Sequence, residues 1–362
     1  FSCIMKKLVK IAIILLTIGV LCSVVGLMLL FKVNTGAVSK ESKEVEFVVG
    51  ENATYYSLGA SLEEAGLIKS NFWYKVYIKL NSPSNLQIGT YKLNQNMTLE
   101  EIIKELEKGS TYDPYAVTIT FKEGYNVRKV AKEIEKVTEN SYDDVLNTLK
   151  DKDYINELIN TYWFLENDIL NTKIYYPLEG YLFPETYQIS SKYSVKEVFK
   201  VMLDQTNKVL TKYKDGITKS SYSIHELLAL ASIIELEAGN ADDRAGVAGV
   251  FYNRLNGGWT LGSDVTTYYA LKIDDFSVSL NEGLGLFDCS TGYNTRCKSF
   301  AGLPVGPIDN PSEESIAAVV NPTSHNYYYF VADCKGKTYF NYDGNGHANT
   351  IYKLKSENNW CA

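Results

Sequence analysis

The sequence predicts an α+β fold: an N-terminal single transmembrane helix, a small α+β module, and a larger mixed α+β domain. Three observations point there. Ile11 to Phe31 is a run of 21 residues without a charge, nearly all apolar. Alternating strand patterns stand beside helical ones, at Glu46 to Val49 with Leu58 to Leu67, and again at Val117 to Phe121 with Val127 to Ile134. From Ser141 onward helical spacing dominates, broken by Gly- and Pro-rich segments.

The apolar run is long enough to cross a bilayer as one helix. Lys6, Lys7 and Lys10 precede it, and no comparable basic cluster follows. The positive-inside rule therefore puts residues 1–10 in the cytoplasm, residues 11–32 across the cell membrane, and everything beyond outside it. The rival is a cleaved signal peptide, whose apolar core would be shorter and end in small residues. Here the run is long and lacks an A-x-A site, and Leu21 is too large for a good lipoprotein site before Cys22. The chain opens on Phe1, which makes Met5 a candidate start. Residues 33–44 (VNTGAVSKESKE) are small, polar and charged, and read as a linker.

In the module, Glu46 to Val49 is strand-like and Gly50 to Ala53 a turn. Helical spacing through Leu58, Leu62, Ala65 and Leu67 follows, then a second helix from Phe72 to Leu80 and a short strand from Gly89 to Leu93. Thr98 can cap a helix from Leu99 to Leu106 with Glu101 as its capping-box partner, and Gly109 ends it. The boundaries are 45–112 for this module and 113–362 for the larger domain, with its core at about 175–350. The second strand–turn–helix opening, from Val117, repeats the first weakly; any small α+β domain could look the same. Residues 141–170 are polar and helical. Tyr176 to Tyr187, with two prolines and a glycine among aromatics, argues for a fixed extended loop. Val195 to Tyr213 is an amphipathic helix, and Ser223 caps the next one with Glu226.

A chain of 362 residues holds two or three compact domains. Its net charge of −7 argues against a nucleic-acid partner. The 28 tyrosines suit surfaces that stack on sugar rings, or equally a Tyr-rich core. Cys3 and Cys22 belong to the tail and membrane helix. Cys289, Cys297, Cys334 and Cys361 could form two bridges in three pairings, or stay as free buried thiols. Cys289 and Cys297 are close enough to close a loop. No Cys/His spacing reads as zinc. The three histidines form no HExxH, and there is no G-x-S-x-G elbow or P-loop.

The chemistry concentrates after Leu228. A strongly apolar helix carries Glu235 and Glu237 near its end; Arg244, Asn253, Arg254 and Asp264 follow. An unpaired carboxylate is costly to bury and tends to stay protonated, which is what a general acid for glycosidic cleavage requires. Leu228, Ala231 and Ile234 define an apolar face, with Glu235 at one edge and Glu237 at the other, so periodicity does not choose between them. Side chains two apart on a helix point ~200° apart, so both cannot flank one bond. That favours a single acid over the carboxylate pair of hydrolytic glycosidases. Arg244 is the evident partner for one of the two, and Asp264 reads as an N-cap. Tyr293 to Thr295 and Gly302 to Ile308 are rigid segments that could wall a cleft.

Taken together, LEGYLFPETY (Leu178 to Tyr187), ASIIELE (Ala231 to Glu237), R-x-x-V-A-x-V-F-x-N-R-L (Arg244 to Leu255), YNT (Tyr293 to Thr295) and G-L-P-x-G-P-I-x-N-P (Gly302 to Pro311) resemble the endolytic murein transglycosylase, or YceG-like, family. The chain departs from its usual residues at Asp243 (Glu), Val265 (Pro), Val305 (Pro) and Thr338 (His). The resemblance implies a membrane-anchored lytic transglycosylase acting in cell-wall assembly, with a LysM-like module at 45–112. It implies cleavage within peptidoglycan glycan strands, between N-acetylmuramic acid and N-acetylglucosamine, to give 1,6-anhydro ends. It maps the catalytic acid onto Glu235, with Glu237 supporting. Arg244, Asn253, Arg254, Asp264, Tyr293 and Asn294 are candidates for holding sugar or bracing the site. No metal or cofactor is implied; the partners are glycan strands, the membrane and peptidoglycan synthases. The rivals are an inactive glycan-binding scaffold and a hydrolytic muramidase that uses Asp264.

Overall fold

The structure, a computed structural model, describes residues 2–50, 52–110, 112–299 and 301–360; of these, nothing is described for the side chains of residues 2–9 and 12. The side chains of Cys3, Lys6 and Lys7, and all of Cys361, therefore lie outside the description. The chain divides into two compact units, residues 1–116 and 117–362.

The first unit begins with α1 (Ser2–Thr35), whose stretch Ile13–Thr35 is apolar enough to cross a membrane. Then come β1 (Glu44–Val49), α2 (Tyr55–Glu64), α3 (Asn71–Asn81), β2 (Gly89–Asn94) and α4 (Leu99–Lys108). β1 and β2 pair antiparallel, with Phe47 opposite Tyr91 and Val45 opposite Leu93. The alternation of β1 turns Phe47 and Val49 inward, onto Leu58, Leu62, Tyr74, Ile102 and Leu106 of the helices. Capping boxes open α2 (Thr54 with Ser57) and α4 (Thr98 with Glu101), and Gly109 closes α4. The segment expected as a free linker is largely fixed. Helix α1 runs on to Thr35, the Ser39 amide donates to the Gln95 carbonyl, and the Gln95 amide to that of Lys43.

The second unit holds a two-stranded sheet of β3 (Ala116–Thr120) and β4 (Thr186–Ser190). Between them lie α5 (Val127–Val137), α6 (Tyr142–Thr148) and α7 (Lys152–Thr161). After them come α8 (Val195–Lys212), α9 (Lys214–Lys219), α10 (Ile224–Glu237), α11 (Arg244–Asn256) and α12 (Asp264–Ala270). The unit ends with α13 (Glu313–Val320), the hairpin of β5 (Tyr329–Ala332) and β6 (Thr338–Asn341), and α14 (Gly344–Ser356). Helix α10 is its axis. Every residue from Leu227 to Ile234 is buried, and α11, α12 and α13 pack around it. It is thus apolar all round, not amphipathic with acids at the edges of one face, as expected of a core helix. Ser223 and Glu226 form the expected capping box.

Two local expectations change, and the expected cysteine loop closes. Residues 177–181 are turns, and only Thr186–Ser190 is extended. Asp264 is the first residue of α12, while Ser263 holds the N-cap position without a side-chain capping bond. Cys289 and Cys297 are bonded, and Cys334 is disulfide-bonded as well.

Gly180, in the turn, has φ +87°, and a Cβ there would lie 2.4 Å from Cβ of Pro307. The same turn is pinned by Asn310, whose Oδ1 accepts from the Gly180 and Leu182 amides. Gly180→Ala should therefore destabilise the protein by about 2–4 kcal/mol, from left-handed strain plus overpacking. A denaturation midpoint reads this out, and an unchanged midpoint would mean that the Pro307 segment yields freely.

Candidate active site

The two glutamates at the end of α10 have opposite surroundings. Glu235 Oε1 accepts from Arg244 Nη2 at 2.8 Å, while Oε2 accepts from the Ser312 amide (2.9 Å), Ser312 Oγ and Ser315 Oγ (2.8 Å). Its side chain is 5% exposed and that of Arg244 is 10% exposed. Four donors, one of them cationic, thus occupy both of its oxygens. Geometry explains why they are needed. A carboxylate at the C-terminal end of α10 meets the negative end of that helix dipole, and the N-terminus of α13 supplies compensating donors.

Glu237 faces a cleft of about 450 Å³ between the start of α12, the C-terminal end of α11 and the β5 strand. Its described hydrogen bond is from Ser263 Oγ, at 2.6 Å. Burial is the largest influence and pushes its carboxyl above the usual range; Asp264 adds to this, while Ser263, Arg254 and Arg296 oppose it. The turn carrying Ser263 is fixed by the YNT segment. The Ser263 amide donates to Thr295 Oγ1 at 3.1 Å and the Gly262 amide to the Thr295 carbonyl at 3.0 Å.

Asp264 lines the same cleft, exposed and ion-paired with Arg296. Arg254 lies beneath it, donating from Nε to the Tyr328 carbonyl at 2.8 Å, with its guanidinium 5.5 Å from the Tyr329 ring centre. His347 stands beside Tyr329, and burial together with Arg254 holds its imidazole below the ordinary value. Ser263, Arg296, Tyr329 and His347 complete the wall.

The remaining predicted residues do not line this cleft. Asn253 Nδ2 donates to the carbonyls of His325 and Tyr327, which fixes the approach to β5. Tyr293 is fully buried between Tyr175 and Tyr269, with ring centres 4.8 Å away on each side. Asn294 is buried, accepting from Thr267 Oγ1 and donating to the Leu286 carbonyl. Asp243 and Thr338, two of the departures, meet each other: the Thr338 amide donates to Asp243 Oδ2 at 2.9 Å.

A larger cleft of about 900 Å³ lies at the other end of α10, but its titratable groups are engaged. Glu226 caps the helix, and Asp168 accepts from Ser223 Oγ. His225 is held between Tyr181 OH and the Val305 carbonyl, and burial lowers its pKa. Glu179, which lines neither cleft, is pushed up by burial to about 8; it is 1% exposed and spends its oxygens on the Val127 amide and Tyr269 OH. Of these two clefts, only the smaller holds a carboxyl that is not exposed, Glu237, whose described hydrogen bond comes from one serine hydroxyl.

Residues 47–353 match the model of the YceG-like family. A Bacillus subtilis protein named endolytic murein transglycosylase is 35% identical over 306 residues, covering 84% of this chain and 83% of that one. Two Streptococcus pneumoniae proteins of the same name are 32% identical over 317 residues, or 83% of this chain, and this chain spans 57% of their length. The crystal structure of a YceG-like protein from Listeria monocytogenes is 31% identical, with a TM-score of 0.60, over 86% of this chain and 100% of that one. With the match running from β1 into α14, this chain belongs to the YceG-like family.

Proposed function

We propose that the protein is a membrane-anchored lytic transglycosylase that cuts peptidoglycan glycan strands internally, and that Glu237 is its acid. The name carried by the relatives supports the substrate class. The observation that carries the chemistry is the cleft-facing Glu237, with its carboxyl raised by burial, set against the saturated Glu235. This moves the acid's role from Glu235, to which the family resemblance assigned it, to its neighbour two residues on.

The reaction needs one carboxyl group. Protonated Glu237 gives its proton to the glycosidic oxygen between N-acetylmuramic acid and N-acetylglucosamine as the C1–O bond breaks. The 6-hydroxyl of the same muramic acid bonds to C1, and its proton passes to the Glu237 carboxylate. The product is a 1,6-anhydro end, no water is consumed, and the acid is restored. Ser263 orients the carboxyl, while Arg254 and Arg296 favour its transient negative charge. The apolar α1 serves as the anchor.

Mass spectrometry of products from the full chain in vesicles, given uncrosslinked glycan strands, tests this reading. Anhydro-ended fragments are expected. Reducing ends would make the enzyme a hydrolase, with Asp264 in the same cleft as second carboxylate. Strands bound but uncut would make it a glycan-binding scaffold.

A further inference from the structure

We propose that the outer face of α3, formed by Phe72, Val76 and Leu80, rests in the headgroup region of the bilayer that α1 crosses. The first unit is then held flat on the membrane surface. This rests on the reading of α1 as an anchor.

The argument begins with depth. The charge-free run Ile11 to Phe31 has 21 residues, and at ~1.5 Å per residue its length matches the ~30 Å hydrocarbon core. Phe31 therefore falls at the outer boundary of that core, followed at once by Lys32. Helix α3 packs against this point. The Phe31 ring stacks on Tyr77, with centres 6.3 Å apart and planes 9° apart, and meets Trp73 edge-on at 6.0 Å. Lys69, just before α3, donates from Nζ to the Val33 carbonyl at 2.8 Å. These contacts set α3 at the level where lipid tails give way to headgroups.

The surface chemistry of α3 suits that level. Tyr74 and Ile78 point into the module core. On another side, Phe72 and Leu80 are 67% and 70% exposed, and with Val76 they form one stripe at i, i+4 and i+8. Phe72 continues directly from the α1 contact, its ring 5.3 Å from Trp73. Lys75 and Lys79 flank the stripe, and α3 contains no acid. Aromatic and aliphatic side chains with lysines beside them are what a membrane interface accepts.

The test uses the full chain in vesicles of phosphatidylcholine and phosphatidylglycerol. Cys3 and Cys22 are replaced by Ser, and a nitroxide is placed at Phe72→Cys, at Leu80→Cys or, as a control at an exposed position of α4, at Lys104→Cys. Collision with oxygen and with a water-soluble nickel chelate is read by electron paramagnetic resonance. Both stripe positions should favour oxygen and be shielded from nickel, while position 104 should behave as in water. A Leu80 label open to nickel, in protein that floats with vesicles after alkaline carbonate, overturns the proposal and leaves the stripe to a protein partner. Loss of the chain from vesicles in carbonate removes the anchor reading itself, and the proposal falls with it.

Discussion

Glu237→Gln should retain fold and glycan binding while lowering kcat by about 10²–10⁴, the usual contribution of a positioned acid–base group. Glutamine keeps an oxygen for Ser263 but carries no proton to give. The pH profile follows from the same carboxyl. The acid must be protonated to act, so kcat/KM falls as pH rises through its raised pKa, and burial places that fall above the ordinary carboxylate range. The linked effect on stability has a definite sign. The folded state holds this proton more tightly than the unfolded one. The stabilisation is therefore full below the unfolded pKa and is lost as pH rises through the folded value. Glu237→Gln should remove that slope. Initial rates and thermal melts across pH measure both effects. Full activity in Glu237→Gln would sink the assignment and return the acid's role to Glu235.

Why the sequence left Glu235 and Glu237 undecided is visible in α10. Helical periodicity separates faces only when one side is wet, and α10 is packed on every side. What separates the two acids lies elsewhere in the chain. Ser312 and Ser315 on α13 are 77 and 80 residues beyond Glu235, and Ser263 is 26 beyond Glu237. No local pattern encodes such pairings. Local chemistry, by contrast, could be read directly: the capping boxes at Thr98 and Ser223, the alternation of β1, the apolar α1, and Arg244 as a partner for one of the acids. The YNT segment misled in one respect. Tyr293 and Asn294 belong to a rigid segment expected to wall a cleft, yet both are buried supports. The residue that reaches the cleft is Arg296, just past that segment. Asp264 similarly looked like a cap, while the neighbouring Ser263 takes the cap position and spends its hydroxyl on Glu237.

Arg244→Met should destabilise the protein by about 3–5 kcal/mol, as expected when one partner of a buried ion pair is removed and the other is left charged. Arg244 opens α11, Glu235 lies near the end of α10, and Ser312 caps α13, so a single carboxylate ties three helices together. With the guanidinium gone, Glu235 keeps its serine donors but loses its countercharge in a nearly closed space. Glu235→Gln removes the pair from the other side. It strands Arg244 with Ser312 Oγ at 2.9 Å and the more exposed Glu314 at 3.8 Å. The double variant should cost clearly less than the sum of the two, because no unpaired buried charge remains. Denaturant midpoints of the four proteins close the cycle, and additive costs would show that the two side chains act independently. Activity should separate the neighbouring acids further. Arg244→Met acts on Glu237 only through the backbone of the last turn of α10, so kcat should fall far less than in Glu237→Gln, and the pH at which activity falls should shift little. A loss in Arg244→Met as deep as in Glu237→Gln, in protein that remains folded, would mean that the ion pair itself takes part in the chemistry.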